Sequence, residues 1–139
     1  MSEVRNKINQ NIPEILRKYK NIAVVGISTK PYRDSYTVSR VLLDHGYRIF
    51  PVNPNYEEVL GLKCYASLKD IPEPVEIVDI FRRPDQVPAV VDEAIAIGAK
   101  VVWMQLGAEN TEAAQKALQA GLQVVMERCI KVEVLRLMY

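Results

Sequence analysis

The stretch Ile22-Ala23-Val24-Val25-Gly26-Ile27-Ser28-Thr29-Lys30-Pro31-Tyr32-Arg33-Asp34-Ser35 decides the fold of this chain. Apolar, mostly β-branched residues run into a glycine. A loop of small, hydroxylic and basic residues then leads to an acid and a serine that suit the start of a helix. The pattern predicts a buried parallel strand, a tight turn and a helix whose N-terminus points back at the turn. Because free backbone N–H groups and the positive end of the helix dipole meet there, the loop favours a phosphate group.

Length, charge and cysteine content narrow the class of protein. The 139 residues suffice for one domain with a substantial core. A net charge of +1 offers no global attraction for nucleic acid or an anionic membrane. No apolar run is long enough to span a bilayer and the first residues lack an apolar signal core, so we expect a cytoplasmic protein. The two cysteines lie far apart and there is one histidine, so we expect reduced thiols and no metal centre.

The order of the predicted elements indicates the fold class. Five apolar segments that begin near residues 22, 48, 75, 100 and 122 predict strands. Helical patterns begin near Asn11, near Asp34 or Ser35 and near Asn110, with these residues as expected caps, and others begin near residues 82 and 129. The alternation predicts a single α/β, Rossmann-like domain over residues 1–139, with a five-stranded parallel sheet in the order 3-2-1-4-5 and helices on both faces. Residues 1–20 are expected to supply an N-terminal helix packed on it.

Basic side chains follow the ends of two predicted strands. Lys30 and Arg33 come after the first strand, and Arg82 and Arg83 come after the third. Since the carboxyl ends of parallel strands meet at one edge of the sheet, we expect these four side chains to converge. Ammonium and guanidinium groups there suit a ligand with several phosphates.

Two features of the same edge argue against a dinucleotide. The first loop contains Gly26 alone and not the glycine pattern GxGxxG. The second strand ends in Asn53-Pro54, where a protein that binds NAD places an acid for the ribose hydroxyls. A small NAD(P)-dependent oxidoreductase is the alternative interpretation, and these two features disfavour it.

From Ile22 to Leu137 the chain resembles the small stand-alone CoA-binding proteins of the YccU-like family, which are similar to the N-terminal CoA-binding domain of the succinyl-CoA synthetase α subunit. The ordered matches carry the resemblance: Val25-Gly26-Ile27-Ser28, Lys30-Pro31, Arg33-Asp34-Ser35, His45-Gly46-Tyr47, Pro51-Val52-Asn53-Pro54, Gly61-Leu62-Lys63-Cys64-Tyr65, Phe81-Arg82-Arg83-Pro84, Gly98-Ala99-Lys100, Trp103-Met104-Gln105 and Glu127-Arg128-Cys129.

The resemblance implies a site for coenzyme A along the strand ends. The residues it implicates are Gly26, Ile27, Ser28, Thr29, Lys30, Arg33, Ser35 and Tyr36 for the phosphates, Val52, Asn53 and Pro54 for the nucleoside, Phe81, Arg82 and Arg83 in the next loop, and Met104, Gln105 and Leu106 along the pantetheine arm. The synthetase's second domain, with its phosphohistidine loop, and its nucleotide-grasp domain have no counterpart here. We therefore expect a protein that binds CoA or an acyl-CoA without catalysis of its own, or a CoA-responsive module that docks on a partner. In solution it is expected to be a monomer or a weak homodimer.

Four further residues invite a chemical role. His45, at a helix end, is expected to be a last-turn residue and not an acid/base group. Asp79 is an acid within an apolar strand, either an inward-reaching acceptor that pins a loop or a ligand group. Cys129 begins the last helix beside Arg128, a setting that favours the thiolate, so disulfide exchange with a CoA thiol, redox sensing and simple packing all stay open. Cys64 is expected to be structural.

Overall fold

A computed structural model describes residues 2–138 of the chain. Its seven strands are β1 (Asn21–Val25), β2 (Arg48–Val52), β3 (Glu58–Val59), β4 (Leu62–Lys63), β5 (Ile77–Ile80), β6 (Val101–Met104) and β7 (Gln123–Met126). Its α-helices are α1 (Ser2–Lys7), α2 (Ile12–Lys18), α3 (Asp34–Asp44), α4 (Val87–Ala96), α5 (Thr111–Gln119) and α6 (Ile130–Met138). Short 3-10 turns cover Leu68–Asp70 and Pro84–Gln86.

The five long strands form one parallel sheet, as the alternation of elements predicted, and the α/β class is confirmed. The order is β2-β1-β5-β6-β7, with β3 and β4 paired in a separate hairpin. The predicted order 3-2-1-4-5 is wrong in one respect. The third long strand, β5, lies between β1 and β6, whereas the prediction placed it outside β2.

The chain between β2 and β5 explains the difference. It contains the β3–β4 hairpin and a 3-10 turn in place of a crossover helix. After the hairpin, Tyr65 makes an isolated parallel bridge to Val52, and its N–H and carbonyl bond Pro51 and Asn53 at 2.9 Å each. This segment occupies the outer edge of β2, so the following strand pairs on the other side of β1.

Each face of the sheet has its own core. On one face, α4 and α5 bury Val87, Val91 and small alanines against Val78 and Ile80. On the other face, α2, α3 and α6 cover Trp103, which is fully buried. The strands alternate between the two cores, so they consist almost entirely of apolar residues.

Helix starts follow the predictions only in part. The Asn110 side chain caps α5 by accepting a hydrogen bond of 2.9 Å from the N–H of Ala113, as predicted. Asn11 precedes α2 in a left-handed conformation and does not cap it with its side chain. Neither Asp34 nor Ser35 caps α3. The helix begins at Asp34, after an extended Arg33, and within residues 2–138 no side chain caps its N-terminus.

Over the described range, no helix is both long and apolar enough to cross a membrane.

Candidate functional site

A cavity of about 700 Å³ opens at the carboxyl edge of the sheet. It lies where β1 and β5 leave the sheet, the point at which the chain reverses its direction across the sheet and at which open α/β sheets bind ligands. We call it the switch-point crevice. It is lined by Gly26, Ile27, Ser28, Lys30, Tyr32, Arg33, Asp34, Ser35, Asn53, Tyr56, Phe81, Arg82, Arg83, Leu106, Gly107 and Ala108.

Gly26 is required where the loops after β1 and β5 pack together. Its φ is +88°, and a β-carbon there would collide with the carbonyl oxygen of Phe81 and lie 2.9 Å from Cδ of Arg82. The N–H of Phe81 donates to the carbonyl of Val25 at 2.8 Å, and the N–H of Gly26 donates to the carbonyl of Val52 at 2.9 Å. The ends of β1, β2 and β5 are thus held together next to this glycine, and protein atoms fill the space over it.

Side chains hold the loop after Gly26 in place. The hydroxyl of Ser35 accepts a hydrogen bond of 3.0 Å from the N–H of Ser28, and the hydroxyl of Ser28 accepts one of 3.0 Å from the N–H of Lys30. The side-chain amide of Asn53 donates to the carbonyl of Ile27 at 2.8 Å. The oxygen of that amide accepts a bond of 2.9 Å from the N–H of Asn55. Asn53 therefore positions the loop, and both ends of its amide are engaged within the protein.

The structure brings all four predicted cations to the crevice. Lys30 and Arg33 follow β1 and are exposed, and Arg82 and Arg83 follow β5. The Nε of Arg82 is buried and has no hydrogen-bond partner in the described part of the chain. Arg83 contacts Asp85 at 3.7 Å, with both side chains exposed, an ion pair of little strength. Against these four cations, the lining contains one carboxylate, that of Asp34.

Six of the implicated residues lie outside the lining of the crevice. Thr29 and Tyr36 line a second cavity of about 610 Å³ between α3 and the β3–β4 hairpin. Met104 and Gln105 are buried, and the side-chain oxygen of Gln105 accepts a hydrogen bond of 3.0 Å from the N–H of Ile130. Val52 is buried in β2, and Pro54 is exposed in the turn after it.

Five lining residues had not been predicted. They are Tyr32, Asp34, Tyr56, Gly107 and Ala108. Tyr32 lies in the loop after β1 and Asp34 is the first residue of α3, and residues on both sides of each had been named, so their place in the sequence could have identified them. Tyr56 reaches the crevice because the turn after β2 folds back over β1, which only the tertiary structure shows.

The other residues considered for a chemical role, His45, Cys64 and Cys129, lie outside the lining of the crevice. Nδ1 of His45 lies 2.7 Å from the carbonyl of Val41 at the end of α3. Cys64 is buried, its thiol donates to the carbonyl of Asn53 at 3.5 Å, and burial raises its pKa. Cys129 is half-buried and lines none of the cavities of the described residues noted above.

Asp79 pins no loop. Its side chain is fully buried, and neither carboxylate oxygen has a hydrogen-bond partner among residues 2–138. Burial raises its pKa well above the ordinary value because the charged form is desolvated.

Known proteins match most of the chain. The family model described as "CoA binding domain" matches residues 20–134. The uncharacterized protein YneT of Bacillus subtilis is 46% identical over 129 residues, which cover 93% of this chain and 96% of that protein. The solved structure of a hypothetical protein from Pyrococcus horikoshii OT3 is 52% identical and superposes with a TM-score of 0.91 over 94% of this chain and 92% of that one.

Larger proteins match through one part of their length. The α subunit of an ADP-forming acetate–CoA ligase I from Pyrococcus furiosus is 31% identical over 120 residues, 78% of this chain but 26% of that subunit. The chain thus spans about a quarter of this relative.

Proposed function

Because the chain belongs to the CoA-binding domain family, whose model matches residues 20–134, we propose that it binds coenzyme A or an acyl-CoA in the switch-point crevice and catalyses no reaction of its own. The proposal goes beyond the family relationship, since it assigns the ligand and its place to this chain. It carries over the CoA named in the ligase relatives, and leaves their ligase activity aside because the chain spans only a part of them.

The observation that carries the proposal is the gathering of four cationic side chains around a crevice whose lining holds one carboxylate. One of them, Arg82, has a buried Nε–H without an acceptor among residues 2–138, and such a group gains when an acceptor reaches it. Three more cationic side chains surround the crevice, and the N-terminus of α3 opens on it without a side-chain cap within the described residues. A ligand with several phosphates would neutralise this excess of positive charge. CoA has a pyrophosphate and a ribose 3′-phosphate.

The apolar lining suits the two ends of CoA. Tyr56 follows β2, on the side where a nucleoside lies in open α/β sheets, and its ring offers a stacking surface for adenine. Leu106 lies beyond β6 on the opposite side and is 67% exposed, unusual for a large aliphatic residue. We place the pantetheine arm against it.

A nicotinamide dinucleotide is the weaker candidate for the same crevice. The residue after β2 is Asn53, whose amide is committed to Ile27 and Asn55, so no acid is in place for a ribose. Phe81 and Arg82 fill the space over Gly26, where a dinucleotide pyrophosphate needs close backbone approach.

Ligand-dependent stability tests the proposal. CoA should raise the melting temperature progressively with concentration, because a ligand that binds only the native state stabilises it by mass action. NADH at equal concentration should have much less effect. Native mass spectrometry of freshly purified protein should show a retained mass equal to CoA or an acyl-CoA. Equal stabilisation by NADH and CoA would return the dinucleotide interpretation.

A further inference from the structure

The two edge strands of the sheet, β2 and β7, have their outer backbone groups covered in different ways. On β2, Pro51 has no N–H, and its carbonyl accepts a hydrogen bond of 2.9 Å from the N–H of Tyr65. Arg48, at the start of the strand, is exposed and pairs with Glu73. A proline, a charged side chain and a covering segment each keep an edge strand from pairing with another chain.

β7 contains neither a proline nor a charge. Its residues are Gln123, Val124, Val125 and Met126. The N–H of Gln123 donates to the carbonyl of Lys100 at 3.0 Å, so the backbone of Gln123 faces β6. Because the direction of hydrogen bonding alternates along a strand, Val124 and Met126 turn their backbone groups outward. A short, uncharged, mostly apolar strand with outward backbone groups is a template for pairing with a further strand.

Asn9, two residues after α1, covers this edge. Its N–H donates to the carbonyl of Val124 at 2.9 Å. Its side-chain amide donates to the carbonyl of Met126 at 3.1 Å and accepts a bond of 2.8 Å from the N–H of Met126. Asn9 thus satisfies three of the four outward groups of β7, and among residues 2–138 the N–H of Val124 is left without a partner. It does so in a left-handed conformation, with a φ of 57°.

The segment that carries Asn9 is lightly anchored. We call residues 2–10 the N-terminal segment. Its helix α1 has six residues, fewer than a helix needs to be stable by itself. Val4 is buried and Ile8 is half-buried against the core under α4 and α5. A cavity of about 290 Å³ lies between this segment, the start of α5 and the end of β7. Since the packing beneath it is incomplete, the segment is expected to open before the rest of the molecule unfolds.

Opening of the N-terminal segment exposes an edge that is complementary to itself. Two β7 strands placed antiparallel about a two-fold axis bring the N–H and carbonyl of Val124 in one copy against those of Met126 in the other. Both side chains, with that of Leu122, belong to the core under α5, so an apolar layer continues from one copy to the next. No charge on either strand opposes the pairing.

We propose that the outer edge of β7 is a homodimerisation surface that the N-terminal segment keeps closed through Asn9, and that two molecules whose segments have opened pair through their β7 strands. The partner is a second copy of this chain because the two-fold pairing gives every outward donor of β7 an acceptor on the same strand of the other copy. The inference does not depend on the ligand, since the switch-point crevice lies between β1 and β5, on the other side of β6.

Sedimentation equilibrium of the full chain tests the proposal with two matched variants. Asn9→Ala removes both side-chain bonds to Met126. Asn11→Ala is the control, because Asn11 has the same left-handed conformation but takes part in none of the hydrogen bonds to β7 in the described chain. Loss of two hydrogen bonds lets the segment open roughly tenfold more often. Since both copies must open before they pair, the Kd of the Asn9→Ala dimer should fall by about the square of that factor, roughly a hundredfold, and that of Asn11→Ala should stay near the parent value.

Amide hydrogen exchange locates the interface and keeps the test decisive if Asn9→Ala does not fold. In the parent, the amide of Met126 should exchange well before that of Val125, which faces β6. In the Asn9→Ala dimer, the amides of Val124 and Met126 should both be protected. The proposal is overturned if Asn9→Ala associates no more tightly than the parent, if the dimer leaves the Val124 amide unprotected, or if the Met126 amide of the parent exchanges only with global unfolding.

Discussion

The side-chain nitrogen of Asn53 donates a hydrogen bond of 2.8 Å to the carbonyl oxygen of Ile27, so the end of β2 holds the loop that follows β1. The bond joins two segments that are distant in the chain, and it lies at the wall of the switch-point crevice. Asn53, which is expected to contact the ligand, therefore also shapes the site.

Replacing Asn53 should therefore loosen the loop. Asn53→Ala leaves the carbonyl of Ile27 without its donor, and we expect a loss of about 1–3 kcal/mol in the free energy of unfolding. Chemical denaturation measures this. Affinity for CoA should fall as well, because the loop that follows β1 loses its support. Asn53→Asp is the matched variant: it keeps the acceptor for the N–H of Asn55 but loses the donor to Ile27, so it should also lose stability, and a stability equal to that of the parent would contradict the role of this bond.

Gly26→Ala should destabilise the protein by roughly 2 kcal/mol or more, because the added methyl group meets the Phe81 carbonyl and also forces alanine to a positive φ. Gly98→Ala is the control. Gly98 has a φ of +77°, but a β-carbon there meets no described atom within 4 Å, so only the conformational cost of about 1 kcal/mol remains. Thermal or urea unfolding of both variants measures the difference, and equal losses would show that packing against Phe81 is unimportant.

The crevice cations should carry most of the CoA affinity. Arg82→Ala removes a charge-assisted contact of about 1.5–3 kcal/mol, which corresponds to roughly a tenfold to hundredfold rise in Kd. Smaller rises are expected for Lys30→Ala, Arg33→Ala and Arg83→Ala, since these side chains are exposed. Affinity should also fall with added salt.

Two comparisons make this measurement specific. Arg17→Ala, on the exposed face of α2, should leave the isotherm unchanged. Dephospho-CoA lacks the 3′-phosphate, so at least one of the four substitutions should cost less against it than against CoA. Four isotherms that overlay the parent would assign these residues to solvated surface.

Asp79 should make stability depend on pH. Its pKa is raised in the folded state by burial, so the folded protein holds this proton at pH values where the unfolded chain, with an ordinary pKa near about 3.9, has released it. The contribution is complete below the unfolded pKa and is lost as the pH rises toward the folded pKa, at up to about 1.4 kcal/mol per pH unit. Relative to Asp79→Asn, the parent should become less stable from pH 4 upward, as measured by urea unfolding. Glu14→Gln, an exposed acid, is the control, and a stability difference between the parent and Asp79→Asn that stays flat with pH would refute the prediction.

The two thiols should differ in reactivity. Cys129 is half-buried at the start of α6, whereas Cys64 is buried with a raised pKa. In the folded protein a disulfide reagent should therefore modify Cys129 well before Cys64. Mass spectrometry after partial reaction, with Cys129→Ser and Cys64→Ser as the pair of controls, measures the order. CoA disulfide gives the same comparison with the proposed ligand, and a first adduct at Cys64 would contradict the assignment.

The local pattern of the sequence determined the class of fold and the edge of the sheet at which the crevice lies. Apolar runs buried on both faces must be parallel strands between helix layers, and the match over residues 20–134 confirms the family resemblance drawn from the same motifs. The four cations were found because strand ends in such a sheet must share one edge. The fold class and the meeting of the cations needed only the order of elements along the chain, and the family needed the motifs as well.

Tertiary structure decided what depends on contacts across the chain. Tyr65 covers the edge of β2 and sends β5 to the other side of β1, a choice between two edges that no local pattern of residues distinguishes. Asn53 and Gln105 turned inward because their amides met backbone partners 26 and 25 residues away. The Asp79 carboxyl has no hydrogen-bond partner among residues 2–138 because α2, α3 and α6 cover its face of β5 with apolar side chains. These helices come from distant parts of the chain. Burial and hydrogen-bond partners are properties of the packed molecule, and for polar side chains they determine whether a residue binds a ligand or supports the fold.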